Sequence, residues 1–288
     1  PYYKVPPMGD FKRVITVHDI MFVKGRRYGS GGMLKRMLIK WNLIRCAKKA
    51  DVILADSEFT KKDLTGLIRG IEKKVKVLYP GLSAEWLTPV DNDSAESARI
   101  KYASGKKFFL YVGNYKPHKN VDLLVNAFAD FSSRGEAGDR ILVLAGGDPE
   151  NCRRVTSLIH RRKAENIVRS FGNVSESDLK ALYCSADWLI TASEYEGFGY
   201  PLLEAMALKC PVICSPCSSI PEVVGESACF INNLSIDGII SALSSAVSMT
   251  PDRRDKIVRD GFERAEKIIR SSNDSGKRLL DIIRVAAD

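Results

Sequence analysis

Trp188-Leu-Ile-Thr-Ala-Ser-Glu-Tyr-Glu196-Gly-Phe-Gly-Tyr-Pro-Leu-Leu-Glu204-Ala-Met-Ala207 is the stretch from which the architecture is read. Its apolar, partly β-branched start, Trp188–Thr191, predicts a strand. Gly197 and Gly199 then give a loop in which backbone amides can approach a ligand closely. Pro201 suits the first turn of a helix, predicted to run through Leu202–Leu208. The amino end of such a helix carries amides that favour phosphate. Glu196 in the loop and Glu204 in the helix flank that cradle and could accept hydrogen bonds from sugar hydroxyls. The same residues equally describe a plain strand–loop–helix capped by Glu196, with Glu204 facing solvent. Local chemistry leaves both readings open.

Working outward, short apolar runs recur on both sides. Strands are predicted at Val14–Val17, Val52–Ala55, Val75–Leu78, Phe108–Val112, Ile141–Ala145, Ile167–Ser170, Pro211–Cys214 and Ala228–Ile231 as well. Helical patterns lie between most of them, as at Val121–Phe131 and Ser177–Cys184. This alternation implies parallel sheets covered by helices on both faces, with ligands beyond the carboxyl ends of the strands. Thr88-Pro-Val-Asp-Asn-Asp-Ser94 is polar, carries a turn signal and reads as a linker. Only about three strands precede it. The first domain is therefore expected to be incomplete at its amino end, consistent with a chain that begins at Pro1. No internal repeat or low-complexity stretch is present.

The 288 residues allow two domains. The net charge of +9 is one-sided: residues 1–90 hold 18 Lys+Arg against 8 Asp+Glu, and the remainder 26 against 27. A basic first third suits an anionic partner such as phospholipid or a lipid-linked pyrophosphate, or is simply a solvated face. It lacks the interleaved aromatics of a nucleic-acid site, so no nucleic-acid partner is expected. No run of eighteen apolar residues occurs. Seven cysteines, an odd number mostly within or beside apolar runs, suit reduced thiols of a cytoplasmic core rather than a disulfide framework. Cys214-Ser-Pro-Cys217 lacks a second ligand pair, and the three histidines have no metal spacing, so no metal is expected. Asp91-Asn-Asp93 is formally a D-x-D, the form that metal-dependent transferases use to hold a cation on a diphosphate. It lies in the predicted linker and is read as a turn.

In Met33–Lys49, Leu34, Met37, Leu38, Trp41 and Ile44 fall on one helical stripe, with Lys35, Arg36, Lys40, Arg45 and Lys48 mostly off it. A basic amphipathic helix with a tryptophan can lie in a membrane interface. Packing of the stripe onto the protein's own sheet is the commoner fate and is the expectation here, with the basic face left to touch anionic lipid.

The seven-residue separation of Glu196 and Glu204, the Gly-Phe-Gly and the trailing Glu204-Ala-Met-Ala resemble the E-x7-E signature of the retaining family 4 glycosyltransferases. The likeness is collinear over about residues 14–270. It includes Val17-His18-Asp19, Ala55-Asp-Ser-Glu-Phe59, Tyr79-Pro-Gly81, Tyr111-Val-Gly-Asn-Tyr-Lys-Pro-His-Lys119-Asn120, Ile141–Gly147, Val168–Val174 and Cys210–Glu222.

The resemblance implies an α/β protein of GT-B fold, two Rossmann-like domains with parallel sheets and a donor site between them. Residues 1–92 would be the carboxyl-side part of the acceptor domain and 93–252 the nucleotide-sugar donor domain. Residues 253–288 would be helices packing back toward the first domain. It further implies transfer of a hexose from a nucleoside diphosphate sugar, with retention and without a metal or other cofactor, to a glycan or lipid-linked acceptor. Mannose from GDP-mannose is the first choice. The implied setting is cytoplasmic, with a peripheral contact to the anionic cytoplasmic membrane face.

By the same resemblance, Lys119 would neutralise the donor diphosphate as the leaving group departs. Glu196 would hold sugar hydroxyls beside Gly197 and the Phe198 and Gly199 amides, and Glu204 would bind the ribose. His18 would stand across the cleft near the transferred sugar. Gly113, Asn114 and His118 would line the donor loop, and Asn173 and Val174 would meet the base. Two departures stand out: Asn114 and His118 occupy positions where many relatives carry arginine. A catalytically degenerate nucleotide-sugar-binding homologue or subunit is the alternative reading, and an epimerase of the same fold a more distant one.

Overall fold

The computed structural model describes residues 12–24, 32–273 and 275–287. Its strands form two wholly parallel sheets. The smaller one has the order β1-β2-β3, from β1 (Val14–Val17), β2 (Val52–Ala55) and β3 (Val75–Val77). The larger has the order β6-β5-β4-β7-β8-β9. Its strands are β4 (Phe108–Val112), β5 (Ile141–Ala145), β6 (Val168–Phe171), β7 (Trp188–Thr191), β8 (Val212–Cys214) and β9 (Cys229–Phe230). All the predicted strands are present, within a residue or two at their ends.

These strands have apolar residues in succession because both sheet faces are covered. Alternate side chains of the larger sheet feed two cores. Phe108, Leu110, Ile141, Val143 and Leu189 pack on one side, and Phe109, Tyr111, Leu142, Leu144 and Ile190 on the other. The covering helices, in chain order, begin with α1 (Met21–Lys24), α2 (Met33–Lys49), α3 (Glu58–Leu67) and α4 (Asn92–Ala103). α5 (Val121–Ser133), α6 (Pro149–Arg161), α7 (Glu176–Ser185) and α8 (Tyr200–Ala207) follow. The last are α9 (Ile220–Val224), α10 (Ile236–Val247), α11 (Pro251–Asn273) and α12 (Ser275–Ala287). α11 buries Ala265 and Ile269 in the core of the larger domain. α12 packs against β2 of the smaller sheet.

Two expectations are corrected. The stretch read as a linker leads straight into α4, which packs on α7 and buries Ala98, Tyr102 and Ala103 in the larger domain. Asp91 is the cap of that helix, accepting from the Ser94 amide at 2.8 Å, so the D-x-D is a helix start rather than a turn. The second correction concerns α2. Leu43, Cys46 and Ala47 are its buried residues. The stripe expected to pack on the sheet is instead exposed: Leu34 71%, Met37 58%, Leu38 54% and Trp41 56%, with Ile44 partly buried.

In the order β6-β5-β4-β7-β8-β9 the winding direction reverses between β4 and β7. The loops after these two strands therefore diverge around a crevice at their carboxyl ends. Lys119 lies on the first loop and Glu196 on the second.

Candidate functional site

The two loops are laced together by backbone and amide groups. The Glu194 amide donates to the His118 carbonyl at 2.8 Å. Asn120, in a left-handed conformation at the start of α5, donates its side-chain amide to the Ala192 carbonyl at 3.0 Å and to Glu194 Oε1 at 3.2 Å. This lacing brings Lys119 Nζ to 2.5 Å from Glu196 Oε1, with both side chains only 14% exposed. Ser218 accepts from the Glu196 amide at 2.7 Å, and Ser219 Oγ lies 2.9 Å from both the Glu196 and Phe198 carbonyls. The loop ahead of α8 is thus fixed at Glu196 and Phe198.

Across the crevice, His18 directly follows β1 and Asp56 directly follows β2. Parallel pairing sets the two strand ends side by side, with Val17 opposite Ala55. His18 Nδ1 lies 2.7 Å from Asp56 Oδ2. Burial raises the Asp56 carboxyl, and the hydrogen bond and charge of His18 oppose that rise. Asp19 turns inward, accepts from the Met21 amide at 2.9 Å, and is likewise raised, chiefly by burial.

A cavity of about 210 Å³ between the domains brings together His18, Asn114, His118, Lys119, Glu196 and Gly197 from the predicted set, with Asp19, Lys116 and Tyr195 added. A second cavity of about 530 Å³ along the larger sheet is lined by Gly113, Asn114, Asn173 and Val174 together with Gly146 and Gly147. Asn114 belongs to both, so the two form one trough. Gly146 holds its floor together: at φ +114° it approaches so closely that an added Cβ would sit 2.4 Å from the Gly113 carbonyl oxygen.

His118 is buried, and that burial together with the neighbouring Lys119 charge pushes its pKa down to about 4. It is a neutral ring at pH 7 and supplies no second cation. Phe198, Gly199 and Glu204 line neither cavity. The Phe198 ring is buried between Tyr79 and Tyr200. Gly199 caps α8 in a left-handed conformation. Glu204 accepts from the hydroxyl of buried Tyr183 at 2.8 Å, and burial raises its carboxyl.

The domains also meet through groups that sequence reading did not single out as site residues. Glu222, at α9 in the larger domain, caps α3 of the smaller one. It accepts from the Glu58 and Phe59 amides at 2.7 and 3.1 Å and from the Tyr79 hydroxyl at 2.8 Å. The Ser57 hydroxyl donates to the Gly197 carbonyl at 2.7 Å, and Tyr195 donates to Asp63 at 2.8 Å.

A sequence description of the glycosyl transferases group 1 matches residues 93–264, more than half of the chain, with Lys119, Glu196 and Glu204 all inside it. The chain belongs to the group 1 glycosyltransferases. One relative, O-antigen chain mannosyltransferase B of Escherichia coli, is 27% identical over 229 residues, covering 79% of this chain and 59% of that protein. Another, the D-inositol 3-phosphate glycosyltransferase of Kineococcus radiotolerans, is 28% identical over 61% of this chain and 42% of its own length. This group 1 glycosyltransferase chain spans roughly half the length of the curated relatives it matches. Anabaena HepE, solved with UDP and glucose, superposes with a TM-score of 0.78 at 17% identity, over 94% of this chain and 72% of that one. WaaG, a glycosyltransferase involved in lipopolysaccharide biosynthesis, superposes with a TM-score of 0.73 at 19% identity, over 94% and 74%. At such identity the likeness is one of fold, the two-domain GT-B arrangement expected from the sequence.

Proposed function

We propose that the trough binds a nucleoside diphosphate sugar and that the whole protein transfers its hexosyl group to a hydroxyl of a glycan or lipid-linked acceptor, with retention of configuration. The observation that carries this reading is the meeting of Lys119 and Glu196 in the crevice between the domains, beside the amino end of α8. A diphosphate leaving group gains negative charge as its bond to the sugar carbon breaks. A cation held beside the departing phosphate, aided by the dipole of α8, would stabilise that charge without a bound metal. Lys119 is the ammonium that would turn from Glu196 to phosphate. Glu196, relieved of it, would accept from sugar hydroxyls. His18, oriented by its neighbour Asp56 in the smaller domain, faces the same cavity. The wider part of the trough, along Gly113, Asn173 and Val174, has room for the nucleoside.

A mannosyl donor is proposed because O-antigen mannosyltransferases are among the relatives. A thermal-shift panel of UDP, GDP, ADP and their sugars tests the donor, and a transfer assay with NMR of the product anomer tests the outcome. GDP and GDP-mannose are expected to give the largest shift. Lys119→Ala is expected to lower transfer roughly 100- to 1000-fold, the scale for losing one preorganised charge-stabilising group. Nucleotide binding without any turnover would favour the degenerate homologue. No shift with any nucleotide would overturn the donor site itself.

A further inference from the structure

We infer that Lys116 is a further phosphate-binding residue of the trough, an ammonium held ready for the phosphate next to the sugar. The inference rests on the proposed reading of the trough as a donor site. A nucleoside diphosphate sugar brings a negative charge on each phosphate. The cavity between the domains is lined by two ammonium groups, Lys116 and Lys119, and by two carboxylates, Asp19 and Glu196. Lys119 is already engaged by Glu196. Asn114 carries no charge, and His118 is a neutral ring at pH 7. Lys116 is exposed and, among the described residues, makes no ion pair. Its charge reaches Asp19 across the crevice, where it opposes the burial that raises that carboxyl. A phosphate that meets Lys116 breaks no existing ion pair, whereas one that meets Lys119 does.

The backbone that carries Lys116 is fixed. The Tyr111 hydroxyl donates to the Asn114 carbonyl at 2.7 Å, Arg154 to the Tyr115 carbonyl at 2.8 Å, and the Lys119 amide to the Lys116 carbonyl at 2.9 Å. Asn114 Oδ1 also accepts from the Lys116 amide at 3.3 Å. Three consecutive carbonyls are thus held while the long side chain of Lys116 keeps its reach. Pro117–Lys119 is a single 3-10 turn, and a three-residue step across such a turn returns side chains to the same side. Lys116 and Lys119 accordingly line one cavity. Lys116 does not line the wider cavity along Asn173 and Val174 that has room for the nucleoside. It therefore meets the phosphate farther from the nucleoside, where charge grows as the bond to the sugar breaks.

The test is calorimetric titration of the whole chain with GDP, GDP-mannose and GMP, and with UDP and UMP in parallel. Lys116→Met keeps most of the stem and removes the charge. It should weaken the diphosphate ligands about tenfold, the scale for losing one charged hydrogen bond, and the monophosphates less than about twofold. Its Tm should match that of the wild type, because the side chain is exposed. The salt dependence of diphosphate affinity should become shallower. Lys116→Arg, which keeps the charge, should stay within about twofold of the wild type. Lys106→Met removes the same charge from an exposed position at the opposite end of β4 and should change neither class of ligand. Undiminished diphosphate binding by Lys116→Met, or equal weakening of diphosphate and monophosphate, would overturn the inference and leave the donor site standing. So would an equal loss in Lys106→Met, which would assign the effect to net charge. Failure of the wild type to bind any nucleotide would overturn the donor reading itself, and this inference with it.

Discussion

Gly197 packs closely against the smaller domain, and alanine there is a sharp probe of the cleft. An added Cβ would lie 2.3 Å from the His18 carbonyl oxygen, 3.3 Å from its carbonyl carbon and 3.4 Å from Asp19 Cβ. The obstacle is backbone, so no side-chain rotation relieves it. Raising 2.3 Å to an ordinary contact of 3.4 Å requires the loops to part by about 1 Å. The same displacement stretches the 2.7 Å bond from Ser57 to the Gly197 carbonyl beyond hydrogen-bonding range. Overpacking of this kind costs about 1–3 kcal/mol and the lost bond about 1 kcal/mol more.

Gly197→Ala should therefore lower Tm by on the order of 10 °C, since 1 kcal/mol corresponds to roughly 2–4 °C in a chain approaching this size. It should also weaken nucleotide binding, because Gly197 lines the same cavity as Lys119 and Glu196. Gly66→Ala is the matched control. Gly66 lies within α3 with nothing within 4 Å of its added Cβ, so alanine there should stabilise by about 0.5–1 kcal/mol. A Gly197→Ala protein that melts within about 1 °C of the wild type would refute the close-contact reasoning.

Other outcomes follow from buried charge. His118, neutral in the fold with a pKa of about 4 against 6.5 for the free side chain, makes the unfolded chain bind the extra proton first as pH falls. Its contribution to stability is complete above pH 6.5 and is lost between 6.5 and 4; about 2 kcal/mol should be gone by pH 5. Urea midpoints at pH 8 and pH 5 should differ less for His118→Gln than for wild type, and equal differences would refute the assignment. Glu222→Gln removes the charge that caps α3 across the domain boundary, so a loss of about 1.5–3 kcal/mol is expected in thermal unfolding; an unchanged Tm would show that the cap contributes nothing. Transfer activity should survive excess EDTA, because Lys119 and the start of α8 provide the positive charge in the proposed reaction; abolition that magnesium restores would sink that account.

The strands were legible because their signal is local: each is a run of β-branched or aromatic residues that a covered parallel sheet requires. Lys119 and Glu196 were legible through their own loops. The groups that position them were not. Asp56 meets His18 across 38 residues, and Glu222 reaches the Glu58 amide across 164. Neither pairing leaves a trace in spacing, because it depends on two strand ends or two domains being adjacent. The two misread segments fail for different physical reasons. Asp91-Asn-Asp-Ser94 has a composition that serves a turn or a helix cap equally well, and only the residues buried further on, Ala98 and Tyr102, decide for the helix. In α2, periodicity detects an apolar stripe without saying which of two faces meets the sheet. The buried face uses small residues such as Ala47 and Cys46, which weigh little in a hydrophobicity pattern but allow close packing.

The pairing of Lys119 with Glu196 bears on how such a crevice could bind and release a charged donor. Both side chains are largely withdrawn from water, so removing either partner leaves the other as a poorly solvated charge. A diphosphate arriving at Lys119 does not find a ready cation; it exchanges one anionic partner for another, and the net gain is smaller than a bare lysine would offer. The exchange becomes favourable only if Glu196 is compensated at the same moment, and sugar hydroxyls are donors suited to a carboxylate. Free nucleoside diphosphate satisfies Lys119 but leaves Glu196 without a partner, whereas the intact nucleotide sugar satisfies both. On the proposed reading, the ion pair therefore biases the site toward the sugar-bearing donor over the spent nucleotide. Glu196→Gln should narrow that preference by weakening the intact donor more than the nucleoside diphosphate. Calorimetric affinities for the two ligands measure it, and an equal weakening of both would show that Glu196 does not distinguish them.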